Sequence, residues 1–284
     1  DAFITFRTVD NFIHGYGLTW NVTERVQGFT NPLWMFLVSA FYFVTREIFY
    51  TAISVSVAVS LIAVLVLTFR IAASQTAAVL AVVALIFSKA FVDYSTSGLE
   101  NPLTHAILAL FLTIYLRQKP IDENLFLLSL VAAFGALNRM DTILFYLPPL
   151  AYLLWQLRSL QSLYRVLAGF LPLILWEIFS LFYYGFPFPN TAYAKLNTGI
   201  PVSELAYQGL HYLLVAIQGD PLTPIAAIVG IAIPLGIKST RQVPAALGIL
   251  LYLLYVVRVG GDFMSGRFLA APFFAAVALM AFNA

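Results

Sequence analysis

Apolar runs dominate this chain from residue 33 to its end, separated only by short polar breaks. A helix that crosses a lipid hydrocarbon core needs roughly 20 mostly apolar residues, within a range of about 17–25. At that length the candidate segments fall at 33–49, 51–69, 75–92, 103–116, 124–137, 142–157, 166–183, 222–237, 243–259 and 268–284. Composition agrees, because 61% of the residues are hydrophobic and only 10% are charged, whereas a soluble domain carries about 25% charged residues. The expectation is an all-α polytopic membrane protein, with residues 1–284 in one continuous membrane domain and the lipid bilayer as its surroundings.

Several function classes drop out. A net charge of +2, from scattered Lys and Arg residues, offers no footprint for nucleic acid. The chain has no cysteine, so disulfides and thiolate metal sites are excluded. Phosphate-binding GxxxxGK[ST], HExxH and GxSxG patterns are absent. His14, His105 and His211 are too widely spaced for a local zinc site. The chain starts in a polar loop and its last apolar run reaches Ala284. The expectation is that a preceding helix and a C-terminal region belong to the whole protein.

The positive-inside rule assigns the breaks holding Arg117 and Lys119, Arg158 and Arg165, and Lys238 and Arg241 to the cytoplasm. Residues 93–102, 138–141, 184–221 and 260–267 then face outward. Simple alternation puts residues 1–32 opposite 93–102, since three apolar segments lie between them. Residues 2–14 read as an interfacial helix, with Ala2, Phe3, Phe6, Val9 and Ile13 on one face and Arg7, Thr8, Asn11 and His14 largely opposite. GYGLTWN (Gly15 to Asn21) reads as a turn. In TNPLW, Asn31 suits a helix cap and Pro32 the first helical position. ENPL repeats the device at Asn101 and Pro102, and 203–217 reads as a second interfacial stretch.

Ionisable residues at the outer ends of apolar segments are the candidates for chemistry, because charge at a membrane edge is costly. Asp1 reads equally as a helix N-cap or as a general base meeting lipid-borne and water-borne substrates. Glu100, in TSGLENP, reads locally as an exposed turn glutamate. NRMD places Arg139 beside Asp141, which a helix cap and a solvated arginine would explain. FPNTAYAK carries Tyr193 and Lys195, and a lysine either holds a phosphate or snorkels to the interface. VRVGGDFMSGRF is the strongest local pattern: Arg258, Asp262 and Arg267 bracket three glycines. Arginine binds phosphate bidentately, although an Arg–Asp pair would neutralise itself. Such a set suits transfer from a lipid-linked phosphate donor, with cations on the leaving phosphate and a carboxylate taking the acceptor proton.

DAFITFRTVDNFIHGYGLTWNVTERVQGFTNPLW resembles the first outer loop of GT-C fold glycosyltransferases, which use polyprenyl-phosphate sugars. SGLENPL, YYGFPFPNTAYAK and VGGDFMSGRF extend the resemblance to the terminal β-arabinofuranosyltransferase family of bacterial cell-wall synthesis, in order along most of the chain. The resemblance implies a GT-C-type transmembrane helical bundle whose outer loop carries interfacial helices. It implies a multi-pass enzyme of the bacterial plasma membrane with its site facing the periplasm or exterior. Asp1 becomes the base of an inverting displacement. Arg7, Arg139, Lys195, Arg258 and Arg267 become candidates for the donor phosphate, and Glu100, Tyr193 and Asp262 candidates for lining the site. The donor is a polyprenyl-phosphate sugar, with arabinofuranose the family-level expectation, and the acceptor a glycan or glycolipid. No cofactor is called for; the cations are enough to neutralise a phosphate without a metal, and metal dependence stays open. The same resemblance turns the opening loop outward, so 33–92 should hold a segment that does not cross. Two other classes stand beside this one: a transporter or flippase of a lipid-linked sugar, and a scaffold subunit with no site.

Overall fold

In a computed structural model, the chain is described at residues 2–117, 124–196 and 199–284, with the side chains of 117, 195 and 196 left aside. Every regular element among the described residues is helical. The opening helix α1 (Ala2–Ile13) ends at two glycines with positive φ, Gly15 and Gly17, in the expected turn. Its buried face differs from the expected one. Phe6 and Val9 are buried, but so are Thr5, Thr8 and Asn11, while Phe3 is 71% exposed. The polar side chains are accepted because they are bonded: Asn11 donates to the carbonyls of Thr19 and Trp20, at 2.9 and 3.1 Å.

Helix α2 (Pro32–Thr45) packs along α1 and starts at Pro32 as expected. Asn31, however, makes no side-chain cap, because its amide is engaged elsewhere. At about 1.5 Å per residue, the 14 residues of α2 fall short of a hydrocarbon core about 30 Å thick. Helix α3 (Ile48–Val66) runs on through a π turn at Leu67–Ile71. These 24 residues form one helix long and apolar enough to cross a membrane.

Three apolar pairs bend sharply, and each is a span only if its halves count together. The run expected at 75–92 splits at Ser88 into α4 (Gln75–Phe87) and α5 (Lys89–Ser95), bent by 76°. Ser88 Oγ accepts from the amide of Phe91, and Asp220 Oδ2 from that of Ala90, so side chains cap the new start. Helices α6 (Asn101–Arg117), α7 (Leu125–Asn138) and α8 (Ile143–Leu157) follow close to expectation. The run expected at 166–183 is again two helices, α9 (Leu160–Gly169) and α10 (Leu171–Tyr184), at 52°. Pro172 has no N–H to continue α9, and its ring would meet the carbonyl four residues back. A short α11 (Asn190–Leu196) precedes α12 (Val202–Gly219), which meets α13 (Leu222–Gly236) at 110°. Helix α14 (Gln242–Arg258) then leads to α15 (Arg267–Asn283).

Helix α15 is the axis of the core. It is buried without a break from Arg267 to Leu279 and packs against α4, α5, α6, α13 and α14. A helix apolar all round belongs inside. Its alanines let neighbours come close: a Cβ on Gly230 of α13 would lie 2.4 Å from that of Ala276. The outer faces are oily too, with Phe69, Phe87 and Phe182 exposed by 78%, 74% and 84%. Such exposure is unfavourable in water and suits lipid.

Candidate active site

One end of the fold draws the polar segments together around Glu100. Its carboxylate is completely buried, contrary to the exposed turn residue expected. Oε1 accepts from Nη1 of Arg139 at 3.2 Å and from Nη2 of Arg267 at 3.1 Å. Oε2 accepts from Nδ2 of Asn31 at 3.0 Å, and Asn31 Oδ1 accepts in turn from Thr5 at 3.1 Å. The carbonyl of Glu100 accepts from Asn138 at 3.0 Å. Trp34 Nε1 donates to the carbonyl of Gly98 at 3.0 Å. The opening segment and the 93–102 break are therefore adjacent, as the outward-turned loop requires and simple alternation does not.

Arg139 is buried rather than solvated, and forms a two-pronged pair with Asp141 at 2.9 and 2.7 Å. Its guanidinium also lies 4.6 Å from the ring centre of Phe268. Arg267 reaches Asp262 at 3.5 Å. Its carbonyl accepts from Asn101 at 3.1 Å, which ties the second Asn–Pro start to α15. Among the described residues, two guanidiniums thus face three carboxylates. Burial raises the pKa of Glu100, but Arg267 and Arg139 outweigh it and hold the carboxyl down at about 2. Burial likewise disfavours charge on Arg139, and Asp141, Tyr252 and Glu100 together more than reverse that.

This lattice forms one wall of a cavity of about 570 Å³. Thr5, Gln27 and Asn31 contribute from the opening segment, and Trp176 and Glu177 from α10. Thr191 lines it from α11, Gln208 from α12, and Gly260, Gly261 and Asp262 from the loop before α15. Each of the breaks 93–102, 138–141, 184–221 and 260–267 supplies lining residues. Gly261 has φ +75, and a Cβ there would meet the Tyr212 ring at 2.5 Å, so this loop needs glycine to pack.

The structure brings together Glu100, Arg139, Asp262 and Arg267. Three other candidates are placed apart from the lining. Arg7 donates to the carbonyl of Trp20 at 2.8 Å and lies over its ring. Tyr193 packs edge-on against Phe186, and Arg258 is exposed at the end of α14. Asp1 and the side chain of Lys195 lie outside the described residues. Glu177 escaped the sequence reading, although an ionisable residue inside an apolar run is itself a signal. Among the described residues, no three His, Asp or Glu side chains gather in a way that could hold a metal.

Residues 30–183 match the family model described as dolichyl-phosphate-mannose-protein mannosyltransferase. The chain belongs to this family. The matched stretch carries Asn31, Glu100, Arg139, Asp141 and Glu177, and so much of the cavity wall. The family is one of GT-C glycosyltransferases, as the loop motifs implied. The chain is 30% identical over 330 residues to a terminal β-(1→2)-arabinofuranosyltransferase of Mycobacterium tuberculosis, covering 98% of this chain and 51% of that protein. An enzyme of the same description from Corynebacterium glutamicum is also 30% identical, over 322 residues, covering 97% of this chain and 46% of its own length. The chain thus spans about half the length of the curated relatives it matches. No solved structure matches it.

Proposed function

We propose that this chain is the catalytic membrane part of a glycosyltransferase acting on the outer face of the bacterial plasma membrane. It moves a pentose, arabinofuranose, from a polyprenyl-phosphate donor to a cell-envelope glycan or lipid. The observation that carries the reading is the meeting of all the singled-out outer breaks at one cavity, in a chain of a glycosyltransferase family.

In this reading the helices form a polytopic bundle and α2 is the segment between 33 and 92 that does not cross. Asp1 takes the proton from an acceptor hydroxyl as that oxygen attacks the anomeric carbon. The bond from that carbon to the phosphate oxygen breaks, the phosphate leaves with the electron pair, and the anomeric configuration inverts. Lys195, with the cavity-facing Arg267, supplies positive charge to the departing phosphate, while Arg7 and Arg258, placed apart from the lining, take no part in it. Arg139 and Arg267 are already engaged by carboxylates. Their main part is therefore to hold the wall rigid, with Glu100 as the clasp and Asp262 at the cavity edge.

Concentration of the ionisable groups at one end favours transfer over transport, since transporters place such groups near the bilayer midplane. The test is a transfer assay on the full-length protein in detergent, with farnesyl-phosphate arabinofuranose and an arabinofuranose oligosaccharide. The reading predicts donor-dependent extension of the oligosaccharide. Translocation of the lipid-linked sugar across vesicles with no extension would overturn it.

A further inference from the structure

The α10 wall of the cavity presents a carboxylate that neither the ion-pair lattice nor the proposed displacement uses. Glu177 stands beside Trp176 and lines the cavity with Thr191 of α11. Glu177 Oε2 is shut off from solvent and has no hydrogen-bond partner among the described residues, and the same holds for Oγ1 of Thr191. Leaving buried polar atoms unbonded is costly, and native structures rarely do it without a reason. Three other carboxylates on this cavity, Glu100, Asp141 and Asp262, are each met by an arginine. Glu177 is not.

The chemistry of the missing partner follows from the groups present. An ionised carboxylate only accepts hydrogen bonds, while a threonine hydroxyl both donates and accepts. A carboxyl and a hydroxyl offer a phosphate no positive charge to hold it. A neutral ligand rich in hydroxyl groups satisfies both side chains, and Trp176, which also lines the cavity, adds apolar surface beside them. Sugar rings have this combination.

We propose that Glu177 and Thr191 form a subsite that recognises hydroxyl groups of a sugar ring, setting which sugar the cavity accepts. The proposal rests on the transferase reading and adds a recognition role for two residues. The sugar is either the ring carried by the donor or the terminal ring of the acceptor, and the experiment separates them.

Full-length Glu177→Gln and Thr191→Val variants are assayed with farnesyl-phosphate arabinofuranose, an arabinofuranose oligosaccharide, and singly deoxygenated forms of each. Losing a hydrogen bond to a charged group corresponds to a drop in affinity of roughly tenfold to a hundredfold. Glu177→Gln is expected to raise the KM of one substrate by about tenfold or more, leaving the other unchanged. A raised donor KM assigns the subsite to the transferred sugar, and a raised acceptor KM to the glycan. With the analogue lacking the contacted hydroxyl, wild type and variant should perform alike, a pattern that a merely structural role would not produce. Thr191→Val should show the same pattern, and decides the matter if Glu177→Gln fails to fold. An equal loss with every analogue, or unchanged KM for both substrates, overturns the subsite. If the wild type transfers no sugar, the transferase reading fails by itself. Calorimetric binding of the oligosaccharide then decides the subsite: weaker binding to Glu177→Gln supports it, and equal binding removes it.

Discussion

Asn31 donates through Nδ2 to Oε2 of Glu100 at 3.0 Å, joining two residues 69 positions apart that each stand just before a Pro-containing helix start. This bond fastens the opening segment to the 93–102 break, and the two arginines on the other carboxylate oxygen complete the clasp.

Replacing Glu100 with Gln leaves Arg139 and Arg267 buried with less counter-charge. Breaking a buried ion pair by removing one partner costs roughly 3–5 kcal/mol. Glu100→Gln should therefore lower the thermal midpoint strongly in detergent, while Asn31→Ala should cost less. The double variant should fall short of the sum of the two, because both act on one network.

Stability should also depend on acid through Glu100. Its folded pKa is about 2, below its reference value of 4.5, so the folded state favours the ionised form. That contribution is fully present above about pH 4.5 and is lost as the pH falls through about 2. The difference in melting temperature between wild type and Glu100→Gln should stay constant near neutrality and shrink below pH 4.5. A difference that widened on acidification would contradict the pairing.

A good part of this site was legible in the sequence. The polar breaks and the GGDFMSGR loop were visible as interruptions of apolar runs, and they do meet at one cavity. Glu100 was misread because its burial is made by Asn31 and Arg267, 69 and 167 positions away, which no local window contains. The bends at Ser88 and Phe170 were hidden because apolar residues continue on both sides of them. Signals were present nonetheless: Ser88–Lys89 is a polar pair inside an oily run, and Gly169 with Pro172 brackets the second break. Glu177 was overlooked because it sits in the middle of such a run, where a charge is most expensive.

Gly261 gives a test of the loop carrying Asp262. Its φ of +75 and the 2.5 Å approach of a Cβ to the Tyr212 ring leave no room for a side chain. Gly261→Ala should cost on the order of 1–3 kcal/mol by overpacking and move Asp262 away from Arg267. Gly185→Ala also has positive φ, but nothing lies within 4 Å of its Cβ position, so it should carry the backbone strain alone. The comparison of the two melting curves separates crowding from strain.

Asp220 binds two of the bends together. Its Oδ2 accepts from the amide of Ala90 at 3.0 Å and from the Thr223 hydroxyl at 2.6 Å, while Oδ1 accepts from the amide of Thr223. Losing a cap costs about 1 kcal/mol, so Asp220→Ala should destabilise by roughly 2 kcal/mol across two helix starts. Hydrogen exchange should rise at both Ala90 and Thr223, and faster exchange at only one would contradict the shared tie.

The central claim is that sugar transfer occurs at this cavity with Asp1 as the base. Its most direct test compares full-length wild type with Asp1→Asn for transfer from farnesyl-phosphate arabinofuranose, with donor binding followed in parallel. The account predicts transfer reduced by at least about a hundredfold, the lower range for a general base, with donor affinity little changed. Undiminished transfer by Asp1→Asn would contradict it.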